Sequence, residues 1–373
     1  MIGAGWLAVA IWTLLFVTGF WTTRECDDKA PFAKPDMWPD VVAVVPARDE
    51  VDVIARALGS LIAQDYQGEF RVILVDDNST DGTGAMARAI GAQRITVIDG
   101  AALPAGWTGK LWALHQGIDA AEAGQRAPTW LWLTDADIEH APDTLRQLVG
   151  IAHGGQRKLV SFMALLHCRT WAERMLVPAF IYFFKLVYPF NWINRPGPFA
   201  GAAGGCVLVE RRALAAAGGV AAMRGALIDD CTLGRSIKRQ GPIWLGLTRR
   251  SRSLRPYANT GEIAAMIARS AYAQLRYNPL LLLGTIAGLA LVFGLPWALL
   301  LAGKGLAWQL GMLATVLMAL SWQPVLAWYR RSPLWGLALP LVAAFYAACT
   351  LASALAWYRG RGGMWKGRAQ AVG

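Results

Sequence analysis

Residues 129–140, TWLWLTDADIEH, decide how the rest of the chain is read. The run from Trp130 to Leu133 is apolar and β-prone, and it ends in Thr134, Asp135, Ala136 and Asp137. Such a run reads as a buried strand that stops at its carboxyl end. Two carboxylates one residue apart at a strand end point to the same side. Like charges that close repel, and a hard divalent cation shared with a diphosphate compensates them. A helix N-terminus before Pro142, with Asp stabilised by the dipole, is the simpler account of the same residues.

Working outward, strand-like and helix-like stretches alternate. Residues 41–45, 71–75 and 94–98 are β-branched runs, and residues 51–63, 82–90 and 110–121 have helical character. Strand, helix, strand, helix at this spacing predicts a mainly parallel, Rossmann-like α/β sheet wrapped by helices. Such sheets bind ligands at the carboxyl ends of their strands. The residues found there are Pro46 to Glu50, Asp76 to Asp81, Asp99-Gly100 and Thr134 to Asp137, and they are mostly acidic. Asn78, Ser79 and Asp81 also suit Asx-turns and helix caps. Asp76 and Asp135 are harder to explain that way.

Residues 82–87, GTGAMA, match the dinucleotide fingerprint GxGxxA, with Asp99 where a ribose-binding acid would fall. That reading predicts NAD binding without metal. Asp76, Asp77 and Asp81 intervene between strand and glycines, and would repel an unaccompanied pyrophosphate.

VVAVVPARDE, VILVDDNSTDGT, GWTGK and LTDAD follow one another in this order from Val41 to Asp137. Together they resemble the opening of an inverting family 2 glycosyltransferase with a GT-A fold. The resemblance covers about residues 40–277 and is closest to the hopanoid-biosynthesis-associated branch. Ceramide and carotenoid glycosyltransferases are similar but more distant. The likeness implies that Ala47, Arg48 and Glu50 border the nucleoside and that Asp77 accepts from a uracil ring, with Asp76 beside it. It implies Lys110 near the base or diphosphate, Asp135 facing ribose or sugar, and Asp137, with Asp135, at a Mg²⁺ or Mn²⁺ ion. A metal there would offset the diphosphate charge and stabilise the leaving UDP.

Residues 159–165 read as another strand. Residues 171–193 carry aromatics, Lys185, Pro178 and Pro189, and are short for a span. They predict an interfacial helix at headgroup level, with a buried core helix as the alternative. Residues 199–209, FAGAAGGCVLV, are a glycine-rich loop entering a strand. The resemblance makes Gly204 and Gly205 line the acceptor site. Asp229-Asp230 opens a basic helix where the family carries Glu-Asp, whose second acid is the general base. Asp230 is therefore the implied base, with Asp229 beside it. Inversion needs a carboxylate to take the acceptor's proton. An acidic N-terminus for that helix explains the pair without catalysis. Residues 261–277 read as an amphipathic helix ending in Gln274-Leu275-Arg276-Tyr277. Processive and lipid-directed relatives have Gln/Arg-x-x-Arg-Trp here. The implied role of Arg276 is to neutralise the diphosphate, and the departures at Ala273 and Tyr277 argue against a processive polymer synthase.

The chain has 373 residues, 55% of them hydrophobic, and a formal net charge of +11. The apolar excess concentrates in residues 1–22 and 279–358, which predicts a membrane protein with one water-facing domain. Residues 1–22 read as an uncleaved transmembrane helix, since no Lys or Arg precedes the apolar run. Residues 40–277 form the GT-A domain, 279–358 hold three apolar segments, and 359–373 are a basic tail. Arg249, Arg250 and Arg252, like Arg330-Arg331, read as juxtamembrane charges facing an anionic leaflet. No nucleic-acid-binding pattern is present. Scattered cysteines and the absence of HExxH-like spacing point to neither disulfides nor a histidine metal site. The charge bias puts both Arg330-Arg331 and the tail in the cytoplasm, yet three full spans would separate them, so one segment must be re-entrant or the bias must fail.

The sequence thus predicts a multi-pass inner-membrane enzyme with a cytoplasmic catalytic domain. Its partners are a nucleotide-sugar donor, a lipid acceptor such as a hopanoid, and the membrane, with no nucleic acid. Polyprenyl phosphate as acceptor, or a non-catalytic nucleotide- or lipid-binding scaffold, are the alternatives.

Overall fold

The structure, a computed structural model, describes residues 1–91, 93–124 and 126–360, and the backbone of 364–365 and 368–369. Most of the basic tail lies outside the described residues. In chain order come α1 (Ile2–Thr18), β1 (Val41–Ala47), α2 (Val51–Ile62), β2 (Phe70–Asp76), α3 (Thr83–Ala89) and β3 (Ile95–Asp99). Next are α4 (Gly109–Glu122), β4 (Trp130–Thr134), β5 (Ile138–His140), α5 (Thr144–Gly154), β6 (Leu159–Leu165) and α6 (Trp171–Val187). There follow α7 (Phe190–Ile193), β7 (Cys206–Glu210), α8 (Arg211–Ala216), α9 (Asp229–Lys238), β8 (Ile243–Ser253) and α10 (Thr260–Gln274). The chain continues through α11 (Pro279–Leu289), α12 (Leu295–Ala302), α13 (Leu306–Trp328) and α14 (Leu339–Tyr358). A π-helical turn, Ala290–Gly294, joins α11 to α12.

Two compact units divide the chain. One holds residues 25–167 and 192–256; the other holds 1–24, 168–191 and 257–360. The first contains an eight-stranded sheet in the order β3-β2-β1-β4-β7-β6-β8-β5. Strands β3, β2, β1 and β4 are parallel, β7 is antiparallel to both its neighbours, and β6 pairs parallel with β8. This is the α/β, GT-A (Rossmann-like) architecture with a mixed far half.

The central strands are buried because helices cover both faces, which suits unbroken apolar runs. Every residue of β1, VVAVVPA, is buried. In α2, Ile54, Ala57, Leu58 and Leu61 repeat at three- and four-residue spacing and form its buried stripe. Thr108 caps α4, its Oγ1 accepting from the Leu111 amide at 3.4 Å. That cap begins the helix one residue before Lys110.

Arg250, at the centre of the basic run Arg249–Arg252, is held by acids of the sheet-bearing unit. It lies in β8 and bonds to Asp27 at 2.9 Å, Asp28 at 2.6 Å and Asp143 at 2.9 Å. Asp27 is fully buried, and an unpaired carboxylate there would be costly, so the arginine is consumed internally.

In the second unit, Pro279–Ala302, Leu306–Trp328 and Pro333–Tyr358 are each long and apolar enough to cross a membrane. α1 is shorter, with 17 residues, or about 26 Å against a hydrocarbon core of ~30 Å. α6 begins with a capping box between Thr170 and Glu173. It buries Leu176, Val177, Ala179, Ile181 and Tyr182, while Trp171 and Val187 stay exposed.

Candidate active site

The site assembles at the carboxyl ends of β1, β2 and β4, joined by the loop before β7 and the start of α9. A cleft there is lined by Pro46, Lys110, Thr134, Asp135, Gly204, Asp229 and Asp230, among others.

Lys110 is the hub. Its Nζ lies 2.7 Å from Asp135 Oδ1 and 3.4 Å from Asp229 Oδ2. Burial alone would lower its pKa, but Asp135, Asp229 and Asp230 outweigh it and hold the ammonium well above its ordinary value. Lys110 is therefore a fixed positive charge.

Asp230 is buried against the glycine-rich loop. Its Oδ2 accepts the Gly204 amide at 3.0 Å and its Oδ1 accepts the Cys231 amide at 2.7 Å. Burial and the neighbouring Asp229 push its pKa up to about 6, against the opposing pull of Lys110 and the two amides. A carboxylate tuned towards neutrality can accept a proton at physiological pH. A side chain at position 204 would put its Cβ 3.3 Å from both Asp230 Cβ and Lys110 Nζ, so glycine lets the loop approach this closely.

Asp137 faces a second cation. Arg255 Nε lies 3.3 Å from Asp137 Oδ2, and Arg255 Nη2 reaches both oxygens of Glu50 at 2.7 and 2.9 Å. Burial, then Asp135 and Glu50, push the Asp137 pKa up to about 6. Arg255 escaped the sequence reading, because nothing in residues 250–257 distinguishes it from its basic neighbours.

At the other side, Arg48 Nη1 donates to Asp77 O at 2.6 Å, and the Asp77 amide donates to Ala47 O at 2.8 Å. Arg48 Nε is buried without a hydrogen-bond partner. Asp77 is almost fully buried, and Asp76 Oδ1 accepts the Ser79 amide at 3.0 Å. Asp81 supports the turn, accepting from the Thr83 amide and hydroxyl and from the Val51 amide. The two glycines of GTGAMA do different work: Gly82 takes the left-handed conformation (φ 95°) at the start of α3, and Gly84 serves packing. A Cβ on Gly84 would fall 2.0 Å from Asp76 Oδ2, so Gly84 lets the carboxylate lie on α3. Asp99 pairs with Arg88.

A buried relay underlies the cleft. His140 Nε2 meets Thr134 Oγ1 at 2.8 Å, and Thr134 Oγ1 donates to Gly205 O at 2.9 Å. His140 Nδ1 meets Ser251 Oγ at 2.9 Å. Burial lowers the His140 pKa to about 3, so the ring is neutral. Since the threonine proton goes to Gly205, Nε2 carries the imidazole proton and Nδ1 accepts from Ser251. Arg276 belongs to the other unit, in a left-handed conformation (φ 53°) just past α10.

Among the described residues, no three His, Cys, Asp or Glu side chains form a ready metal cage. Asp135 and Asp137 nevertheless suit a divalent cation completed by diphosphate oxygens and water, the arrangement Mg²⁺ adopts with one or two carboxylates.

The mixed sheet, with paired acids, a fixed lysine and a glycine-rich loop at its strand ends, has the GT-A-type architecture. Residues 42–218 match the family model described as Glycosyl transferase family 2. The chain is 35% identical over 116 residues to the succinoglycan biosynthesis protein ExoO of Rhizobium meliloti, covering 31% of this chain and 30% of that one. It is 37% identical over 95 residues to a 4,4′-diaponeurosporenoate glycosyltransferase of Staphylococcus aureus, covering 26% and 23%. The chain thus spans less than a third of the length of either relative. Among solved structures, a mannosyltransferase from Pyrobaculum calidifontis in complex with GDP-Man and Mn²⁺ shares the fold, with a TM-score of 0.57 at 19% identity. The match covers 96% of this chain and 98% of that one.

Proposed function

We propose that the protein is a membrane-bound, inverting glycosyltransferase that moves a sugar from a nucleotide donor, UDP-linked, to a lipid hydroxyl. One observation carries this reading: Asp135, Asp229, Asp230 and Gly204 converge around Lys110 at the strand ends. The family 2 domain supports sugar transfer, and the solved neighbour's GDP-Man and Mn²⁺ support a nucleotide sugar with a divalent cation. The apolar helices and the relative named for 4,4′-diaponeurosporenoate support a lipid acceptor, for which a hopanoid is the proposal.

Asp230 takes the acceptor hydroxyl's proton as the oxygen attacks the anomeric carbon opposite the leaving diphosphate. The Gly204 and Cys231 amides hold its two oxygens so that the carboxylate is oriented before the acceptor arrives. Lys110 keeps Asp135 and Asp229 in place and contributes fixed positive charge beside the sugar. Arg48, Asp76 and Asp77 form the nucleoside end. Asp137 and Asp135 would hold Mg²⁺ or Mn²⁺, which when bound offsets the diphosphate charge.

The test uses membranes containing the intact protein or the Asp137→Asn variant, supplied with radiolabelled nucleotide sugars and Mn²⁺ or Mg²⁺. Label entering the organic phase only with the intact protein is expected. A protein that binds the donor yet never releases UDP, in membranes containing hopanoids and polyprenyl phosphates, would be a scaffold instead.

A further inference from the structure

The sheet-bearing unit is interrupted by residues 168–191, which belong to the helical unit and then return the chain to the sheet. These residues hold one helix of substance, α6, with 17 residues. A single helix cannot cross a bilayer and come back. If the sheet-bearing unit faces water, both ends of α6 stay on its side, and α6 lies along the membrane surface. Its contacts within the helical unit agree, since it meets different partners in succession. Trp171 rests on Trp335 with ring centres 6.4 Å apart, and Tyr182 Oη meets Ser321 Oγ of α13 at 2.8 Å. Lys185 then donates to Thr22 O, just past α1. α6 thus lies across α13 and the end of α1.

α10 and α14 run beside α6 in the same direction. At the start, Glu173 Oε1 accepts the Tyr257 amide at 2.7 Å, and at the end Tyr188 Oη donates to Gln274 Oε1 at 2.9 Å. Tyr346 Oη of α14 donates to Leu176 O at 3.0 Å. Ser353 Oγ accepts the Tyr272 amide at 3.1 Å and donates to Ala268 O, and the Tyr272 and Tyr358 hydroxyls meet at 3.0 Å. Tyr188, at the end of α6, and Tyr358, at the end of α14, both reach the end of α10, at Gln274 and Tyr272, so the three helices end together.

We infer that α14 lies in the membrane interface alongside α6 and α10, and that the chain crosses the bilayer only twice after the sheet-bearing unit. The crossings are Pro279–Ala302 and Leu306–Trp328. Pro333–Tyr358 has the length and apolarity of a span but not its direction. The arrangement puts Arg276, Arg330, Arg331 and Arg359 on one side, as the positive-inside bias requires, and Lys304 on the other. Tyr277 and Trp357 stack at 5.3 Å and 21° where α10 and α14 end, and with Tyr358 they remain partly exposed. Aromatic rings beside arginines are the side chains that anchor at headgroup level.

The inference rests on the membrane reading of the proposed function, and cysteine accessibility separates the two. Lys304→Cys, Ser332→Cys and Arg359→Cys would be made one at a time in the full chain. Each would be treated with a membrane-impermeant maleimide, in sealed spheroplasts and after lysis, against the parent protein. Ser332→Cys and Arg359→Cys are expected to behave alike, and Lys304→Cys oppositely. If Arg359→Cys labels with Lys304→Cys and against Ser332→Cys, α14 crosses and the inference falls while the membrane reading stands. If all three positions lie on one side, the spans themselves are wrong and both readings fall.

Discussion

As the proposed base, Asp230 meets two opposing demands: it must be charged to accept a proton and basic enough to keep it. Its pKa is raised from 3.8 to about 6 by burial and Asp229. A raised carboxylate binds its proton more tightly in the folded protein, so the active, ionised form is lost as pH falls through about 6. On the proposed reading, the kcat/KM of sugar transfer is therefore expected to fall on the acid side with a midpoint near pH 6, read from initial rates between pH 5 and 8. Asp230→Asn keeps the shape but cannot take the proton. Its kcat is expected to drop ~10²–10⁴-fold with the donor KM little changed. Full activity in Asp230→Asn alongside loss in Asp137→Asn would point instead to a phosphate acceptor, whose oxygen needs little help from a base. The sequence placed Asp229-Asp230 at the start of a basic helix, and α9 does begin there, with Asp230 against the Gly204 amide. His140 was not legible in the sequence, because a lone histidine carries no pattern. Its role comes from Thr134 and Ser251, which only the folded sheet brings to the ring.

At the scale of elements, the β-α alternation from β1 to β4 was readable because each run is apolar and each connection short. β8 was hidden. Its second half is Thr-Arg-Arg-Ser-Arg-Ser, and arginine on a strand looks like surface until Asp27, Asp28 and Asp143 are seen around Arg250. The turn from β2 into α3 shows the same limit. GTGAMA fits a dinucleotide fingerprint by spacing, yet Gly84 serves the Asp76 carboxylate packed against it. Gly84→Ala is expected to push Asp76 off α3 and raise the donor KM several-fold, because the added Cβ leaves no room for the oxygen. Circular dichroism should stay unchanged, since alanine suits a helix better than glycine. An unchanged donor KM would mean that Asp76 takes no part in holding the nucleoside.

Across the whole molecule, the net charge of +11 conceals an acidic edge. Asp76, Asp77, Asp135 and Asp137 gather at the strand ends with Glu50, and their visible compensation is local. Arg48 serves Asp77, Lys110 serves Asp135, and Arg255 is shared by Asp137 and Glu50. The proposed nucleotide donor would bring further negative charge to this edge, so donor and divalent cation should bind as a linked pair. In detergent-solubilised full-length protein, UDP with a chelator is expected to raise Tm slightly, and Mn²⁺ alone slightly. The two together should raise it by more than the sum, because each ligand stabilises the state the other requires. Asp137→Asn should abolish the excess while leaving the small effect of UDP alone, since Arg48 and Asp77 are untouched. Equal stabilisation by UDP with and without the cation would show that Lys110 and Arg255 suffice to neutralise the diphosphate, and that no metal is needed to bring the donor to the site.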